Sequence, residues 1–141
     1  MIFSAQQLMS DDQVVTTSAP STNVIDLGAL GVPYGAVGNE RDIGKGTPIC
    51  ILVQNTADST GTTQTCQVDI EVDDNEGFAS PTTVVSTSFG ASVAGDQSPI
   101  VVLPRQITER YLRINYTTGG TTPSYTLTAG ITMGVQGGHQ G

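Results

Sequence analysis

Apolar and polar residues alternate along several stretches of this chain, most clearly in CQVDIEVD, residues 66–73. Successive side chains of an extended strand point to opposite faces. Cys66, Val68, Ile70 and Val72 therefore share one face, and Gln67, Asp69, Glu71 and Asp73 share the other. Leu112, Ile114 and Tyr116 oppose Tyr111, Arg113 and Asn115 in the same way. Each of these strands is expected to have one wet face. Residues 49–53 (ICILV) are apolar on both faces, which predicts a central strand covered on both sides.

This pattern predicts extended segments at 13–17, 22–27, 47–55, 64–73, 82–88, 98–103, 109–118 and 124–135. Turn formers lie between them, in ADSTGTT, DNEGFASP, GASVAGDQSP and TTGGTTP. No segment sustains a period of 3.6 residues, although AQQLMSDDQ is compatible with one helical turn. Many short strands without intervening helices predict an all-β fold: a single-domain, jelly-roll-like β-sandwich of about eight antiparallel strands spanning residues 1–141. Three segments are expected to lie outside its core. They are an extended N-terminal arm (residues 1–12), a long Gly-rich loop (residues 28–48) and a flexible tail (residues 136–141).

Composition supports the β reading. Thr, Val and Ile, stiff at χ1 and suited to pleated surfaces, outnumber Leu and Ala. Charged residues make up 13% of the chain, about half the usual share. With a net charge of −8 and only five Lys and Arg, the chain lacks the basic cluster that phosphate neutralisation requires, so neither nucleic acid nor an anionic membrane surface is an expected partner. No apolar run is long enough to span a bilayer. The opening MIFSAQQLMSDD has no basic segment and no long apolar one, so no secretory leader is expected and the thiols are expected to stay reduced. Cys50 and Cys66 are too few for a zinc site and read as small buried hydrophobes; a disulfide stays open if both face one core.

Five of the 13 acidic residues crowd into positions 69–76: Asp69, Glu71, Asp73, Asp74 and Glu76. An EF-hand beginning at Asp69 would need Gly where Asp74 stands and a bidentate Glu where Ser80 stands. The stretch reads instead as the solvated face of a strand running into an Asx/Gly turn, with Arg113 of a neighbouring strand available to pair with the acids. Two alternatives stay open: a calcium site of another kind using Asp69, Glu71 and Asp73, and a surface for a cationic partner.

Catalytic motifs fail on their particulars. GASVAG has Ala94 where a nucleophile elbow needs Gly, and the only histidine, His139, lies in the tail. NERDIGKGT has Asn39 and Gly46 where a P-loop needs Gly and Ser/Thr. The acidic cluster offers no buried carboxyl pair of the glycosidase kind. With no enzymatic constellation and no cofactor motif, a structural or binding protein is the expectation.

Five phrases in order, STNVIDLGALG, RDIGKGTP, VDDNEGFASP, LPRQITERYLRINYT and TAGITMGVQ, resemble the capsid cement (decoration) proteins of tailed bacteriophages, in the group related to the cement protein of a Bordetella phage. The resemblance covers residues 8–136. It implies a jelly-roll-like β-sandwich on the outer surface of the virion, made in the bacterial cytoplasm. Such a protein bridges neighbouring major capsid subunits, works as a symmetric homo-oligomer (dimer or trimer) and has no catalytic residues. On this reading Arg41, Lys45 and Arg105 are candidates for charge-assisted contacts to the capsid or to a sister subunit, against the plainer role of local salt bridges. A second reading is an extracellular β-sandwich that binds calcium or carbohydrate; it expects a leader and exposed aromatics, and the chain has three Phe, four Tyr and no Trp.

Overall fold

The longest strand of the protein runs through both halves of its structure. In a computed structural model, which describes residues 4–28, 49–91, 93, 95, 100–103 and 107–132, a short 3₁₀ turn (Ala5–Gln7) precedes eight strands. These are β1 (Leu8–Val15), β2 (Ala19–Pro20), β3 (Ile25–Asp26), β4 (Cys50–Asn55), β5 (Thr60–Asp73), β6 (Thr82–Phe89), β7 (Ile100–Val102) and β8 (Tyr111–Thr132). All pairings are antiparallel. The first half of β8 lies between β5 on one side and β2 and β3 on the other, with β6 beyond β5. The second half lies between β1 and β4, with β7 beyond β4. The result is the all-β antiparallel sandwich that the alternation predicts.

Inward side chains from both halves meet in one cluster: Met9 and Val15 of β1, Ile51 and Val53 of β4, Cys66 to Val72 on alternate positions of β5, and Leu112, Ile114, Tyr116, Tyr125, Leu127 and Ala129 of β8. The inward positions of β8 are even before the bend and odd after it, so the face switches between Tyr116 and Tyr125. Irregular backbone at the crossing absorbs the switch, with positive φ at Gly120 (92°) and Thr122 (49°) in β8 and at Gly61 (134°) and Thr63 (52°) in β5. The two strands nearly touch there: a Cβ on Gly120 would lie 2.5 Å from the Thr63 carbonyl oxygen. TTGGTTP, expected to be a turn between two strands, is therefore a bulged bend within one strand. The same residues serve both, because each needs left-handed backbone.

The arm expected over residues 1–12 is also corrected, since Leu8 onward belongs to β1. Met9 and Ser10 are fully buried. Ser10 Oγ donates to Gln13 Oε1 at 2.8 Å and lies 2.8 Å from the Tyr116 hydroxyl, which is therefore the donor in that pair. Gln13 in turn donates to the Pro20 carbonyl and accepts from the Thr22 amide. The polar residues that made this segment look unattached form the network that fastens it. β4 is buried on both faces from Cys50 to Val53, as its sequence predicts. The loop at 29–48, the tail at 136–141 and His139 lie outside the described residues.

Candidate functional site

The outer face of the β6–β5–β8 sheet carries the acidic cluster. Register puts Glu71 opposite Arg113, Asp69 opposite Asn115 and Ser86, and Gln67 opposite Thr117 and Ser88. Asp69, Glu71 and Asp73 are all buried, at 9%, 7% and 8% exposure, where a solvated face was expected. Asp69 is enclosed by Gln67 and Ser86, and Glu71 and Asp73 by the loop that follows them. Residues 74–81 close so that Phe78 (φ 49°) comes to lie over Arg113, whose guanidinium carbon is 4.1 Å from the ring centroid. Arg113 Nη2 stands 2.8 Å from Glu71 Oε2, and its Nε donates to the same oxygen at 2.8 Å. Glu71, Arg113 and Phe78 thus form a stack, the cationic plane held between a carboxylate and an aromatic face. The pairing of Arg113 with the acids was legible in the strands; the Phe78 cover was not.

Asp73 fastens the loop. Its two oxygens accept from the amides of Asn75 at 2.8 Å and Ser80 at 2.9 Å, and these bonds hold its carboxyl below the usual carboxylate range. Asn75 Oδ1 accepts from the Gly77 amide, completing the expected Asx/Gly turn. Both oxygens of Asp69 accept from Gln67 Nε2, and one also accepts from Ser86 Oγ at 2.5 Å. The three carboxylates proposed as metal candidates are thus engaged by the protein's own donors. Among the described residues no group of three His, Cys, Asp or Glu side chains is arranged to hold a metal ion.

Toward the bend the same face turns neutral. A shallow groove of about 290 Å³ is lined by Thr65, Gln67, Ser88, Thr117 and Gly119, among others, and a second of about 270 Å³ adjoins it along Gln67, Ser86, Thr87 and Ser88. Thr, Ser and Gln make up most of the lining residues, and Phe89 joins them in the first groove. At the other end of the sheet Arg110 makes a bidentate bond to Asp26, 2.8 Å at each contact, with both side chains half exposed.

Cys50 and Cys66 are free and buried. Cys66 faces the core among Val68 and Ile70, whereas Cys50 alternates with Ile51 and so points out of the other face of β4. Burial pushes the Cys66 thiol up to about 12. Arg41, Lys45 and Arg105, the candidates for contacts with a partner, lie outside the described residues. Among the described residues no helix is long and apolar enough to cross a membrane.

No curated protein matches this chain. A protein-family model does, over residues 9–134, from the first strand through to just past the last one. The chain belongs to the Bbp16 family.

Proposed function

We propose that this protein is a structural, non-enzymatic component of a phage virion that binds the outside of an assembled capsid and cements neighbouring major capsid subunits. The observation that carries this reading is the family membership, because the family's name points to a Bordetella phage protein and the match spans nearly the whole sandwich. The physical character of the chain supports it. The acidic groups that could have served chemistry are spent on internal bonds, in Asp69 to Gln67 and Ser86, Glu71 to Arg113, and Asp73 to its own turn. A net charge of −8 suits an outer surface and disfavours contact with packaged DNA.

Cementing works through linkage. A protein that binds the assembled shell and not its separated subunits stabilises the shell by mass action, by about 2.7 kcal/mol per site at a free concentration of 100 times Kd. A symmetric homo-oligomer multiplies this through effective concentration, since its second contact is made within an already bound complex. Arg41, Lys45 and Arg105 are the proposed charge-assisted contacts to shell carboxylates or to a sister subunit.

Co-sedimentation with expanded shells of the phage that encodes the protein tests the reading. The protein is expected to pellet with intact shells at saturable stoichiometry, to stay in the supernatant with dissociated capsid subunits, and to raise the temperature at which the shells come apart. Equal binding to dissociated subunits, or no binding to shells, overturns it.

A further inference from the structure

The edges of a sheet present unpaired amide and carbonyl groups, and natural proteins blunt them with shortness, charge, proline or bulges. Most edges here obey that rule. β2 and β3 have two residues each, and they contain Pro20 and Asp26. β1 carries Asp11 and Asp12 and two register shifts. β6 is different: it has eight residues, ends the path of its sheet, and carries no charge. Its single irregularity is the extra residue Val84, opposite the step from Ile70 to Glu71.

The neutrality extends beyond the strand. No charged side chain occurs in residues 77–95, 59–68 or 114–138, in a chain whose net charge is −8. Within them, β6, residues 60–68 of β5 and residues 114–119 of β8 lie side by side, because β6 pairs with β5 and β5 pairs with the first half of β8. On the outer face of β6, Thr83, Ser86 and Ser88 are exposed, and the groove along Gln67, Ser86 and Ser88 runs beside them.

We propose that the edge of β6, unpaired among the described residues, is where a second copy of this chain docks, β6 against β6 in antiparallel pairing about a twofold axis. This names the surface for the self-association that the cement reading includes, and it rests on that reading. Two physical arguments select a second copy as the occupant. A twofold interface must be complementary to itself, and an antiparallel strand edge meets that demand in its backbone, whatever its side chains. Two molecules of like charge also repel over most of their surfaces. Approach along β6 brings no charged groups of that strand face to face. The small hydroxyl side chains leave the backbones free to meet at the strand spacing of about 4.8 Å. On the outer face, the exposed hydroxyls of Thr83, Ser86 and Ser88 stand at the edge itself, where their counterparts on the incoming strand can hydrogen-bond to them.

Sedimentation equilibrium of the full chain without shells tests the proposal, with circular dichroism as the check on folding. Wild type is expected to have the mass of a dimer. The double variant Thr83→Glu/Ser88→Glu is expected to dissociate at least tenfold more readily while keeping its β spectrum, because it sets like charges along both edges. Thr83→Lys/Ser88→Lys is expected to do the same alone. An equimolar mixture of the two variants is expected to regain the dimer mass, a rescue that misfolding would not give. A wild-type monomer up to the solubility limit overturns the proposal, and so does a Glu variant that keeps the wild-type dimer affinity. Shell binding is scored separately: a dimer that never binds shells leaves the β6 interface standing and removes the cement function.

Discussion

Glu71 and Arg113 face each other across β5 and β8, 2.8 Å apart, with side-chain exposures of only 9% and 19%. The pair is a cross-strand contact withdrawn from solvent by Phe78, so its two charges depend on one another. Removing one partner strands the other in a place where water cannot fully replace it. Glu71→Ala or Arg113→Ala is expected to cost roughly 3 kcal/mol of unfolding free energy, the lower end of the range for stranding a buried charge. Replacing both, as Glu71→Met/Arg113→Met, is expected to recover most of that loss. Urea titrations of the four proteins measure both effects.

Asp73 gives the fold an acid-sensitive fastening. Its folded carboxyl is held below its ordinary value of 3.8 by the Asn75 and Ser80 amides. A depressed folded value means that the contribution is fully present above about pH 4 and is lost as pH falls through the folded value. Asp73→Asn is therefore expected to melt below wild type at neutral pH, with the difference shrinking on acidification. A difference that is constant from neutral to strongly acidic pH would show that the carboxylate's charge contributes nothing.

The bend of β8 makes two adjacent glycines unequal. Gly120 has φ of 92° and its missing Cβ would strike the backbone of Thr63 and Gln64; a Cβ on Gly119 would meet only the Thr65 hydroxyl, at 2.8 Å. Gly120→Ala is expected to destabilise by roughly 1–3 kcal/mol, the cost of a strained backbone position with a clash added. Gly119→Ala is expected to cost less, because the Thr65 side chain can rotate away. Equal thermal shifts for the two variants would contradict this account.

Strand β1 divides the N-terminus into a dispensable part and an essential one. Deleting residues 1–7 leaves every buried side chain of β1 in place, and the β-sandwich is expected to keep its melting temperature. Deleting residues 1–12 removes Met9 and the Ser10 bond to Tyr116, and is expected to unfold the protein or cost more than the ~2–5 kcal/mol typical of truncating one large core side chain. Melts of the two truncations, each followed by shell co-sedimentation, separate a binding defect from a folding defect.

Both thiols should report on global opening. Cys50 and Cys66 are buried, and the Cys66 thiol is pushed up to about 12, far from its reactive thiolate form at neutral pH. Native protein is expected to resist alkylation at Cys66 until it unfolds, and mass spectrometry after partial labelling checks this residue by residue.

Much of the sandwich was legible because its strands obey a simple period. The alternation in residues 66–73 and 111–116 named the inward residues of β5 and of the first half of β8, and the two-sided burial of residues 50–53 followed from their unbroken apolar run. What failed did so for physical reasons. Gly120 and Thr122 adopt the backbone that a turn would also use, so local chemistry could not separate a bend in one strand from a gap between two. Asp69, Glu71 and Asp73 lie on a polar face that the sequence period identifies correctly. Alternation says which residues share a face, but not what lies over it. The covering loop, with Phe78 packed over Arg113, is a tertiary fact. Asp11 and Asp12 likewise masked a strand whose buried anchors, Met9 and Ser10, precede them.

β8 is unlike the filling of an ordinary sandwich, whose two layers adhere through side-chain contact alone. Here a single covalent chain, Tyr111–Thr132, is the middle member of both layers and is bonded along both flanks in each. Sliding one layer over the other would have to stretch that chain or strip several rows of hydrogen bonds together. Force entering at one layer is thus carried to the other along a tie rod, a property on which the proposed cementing of a capsid would draw.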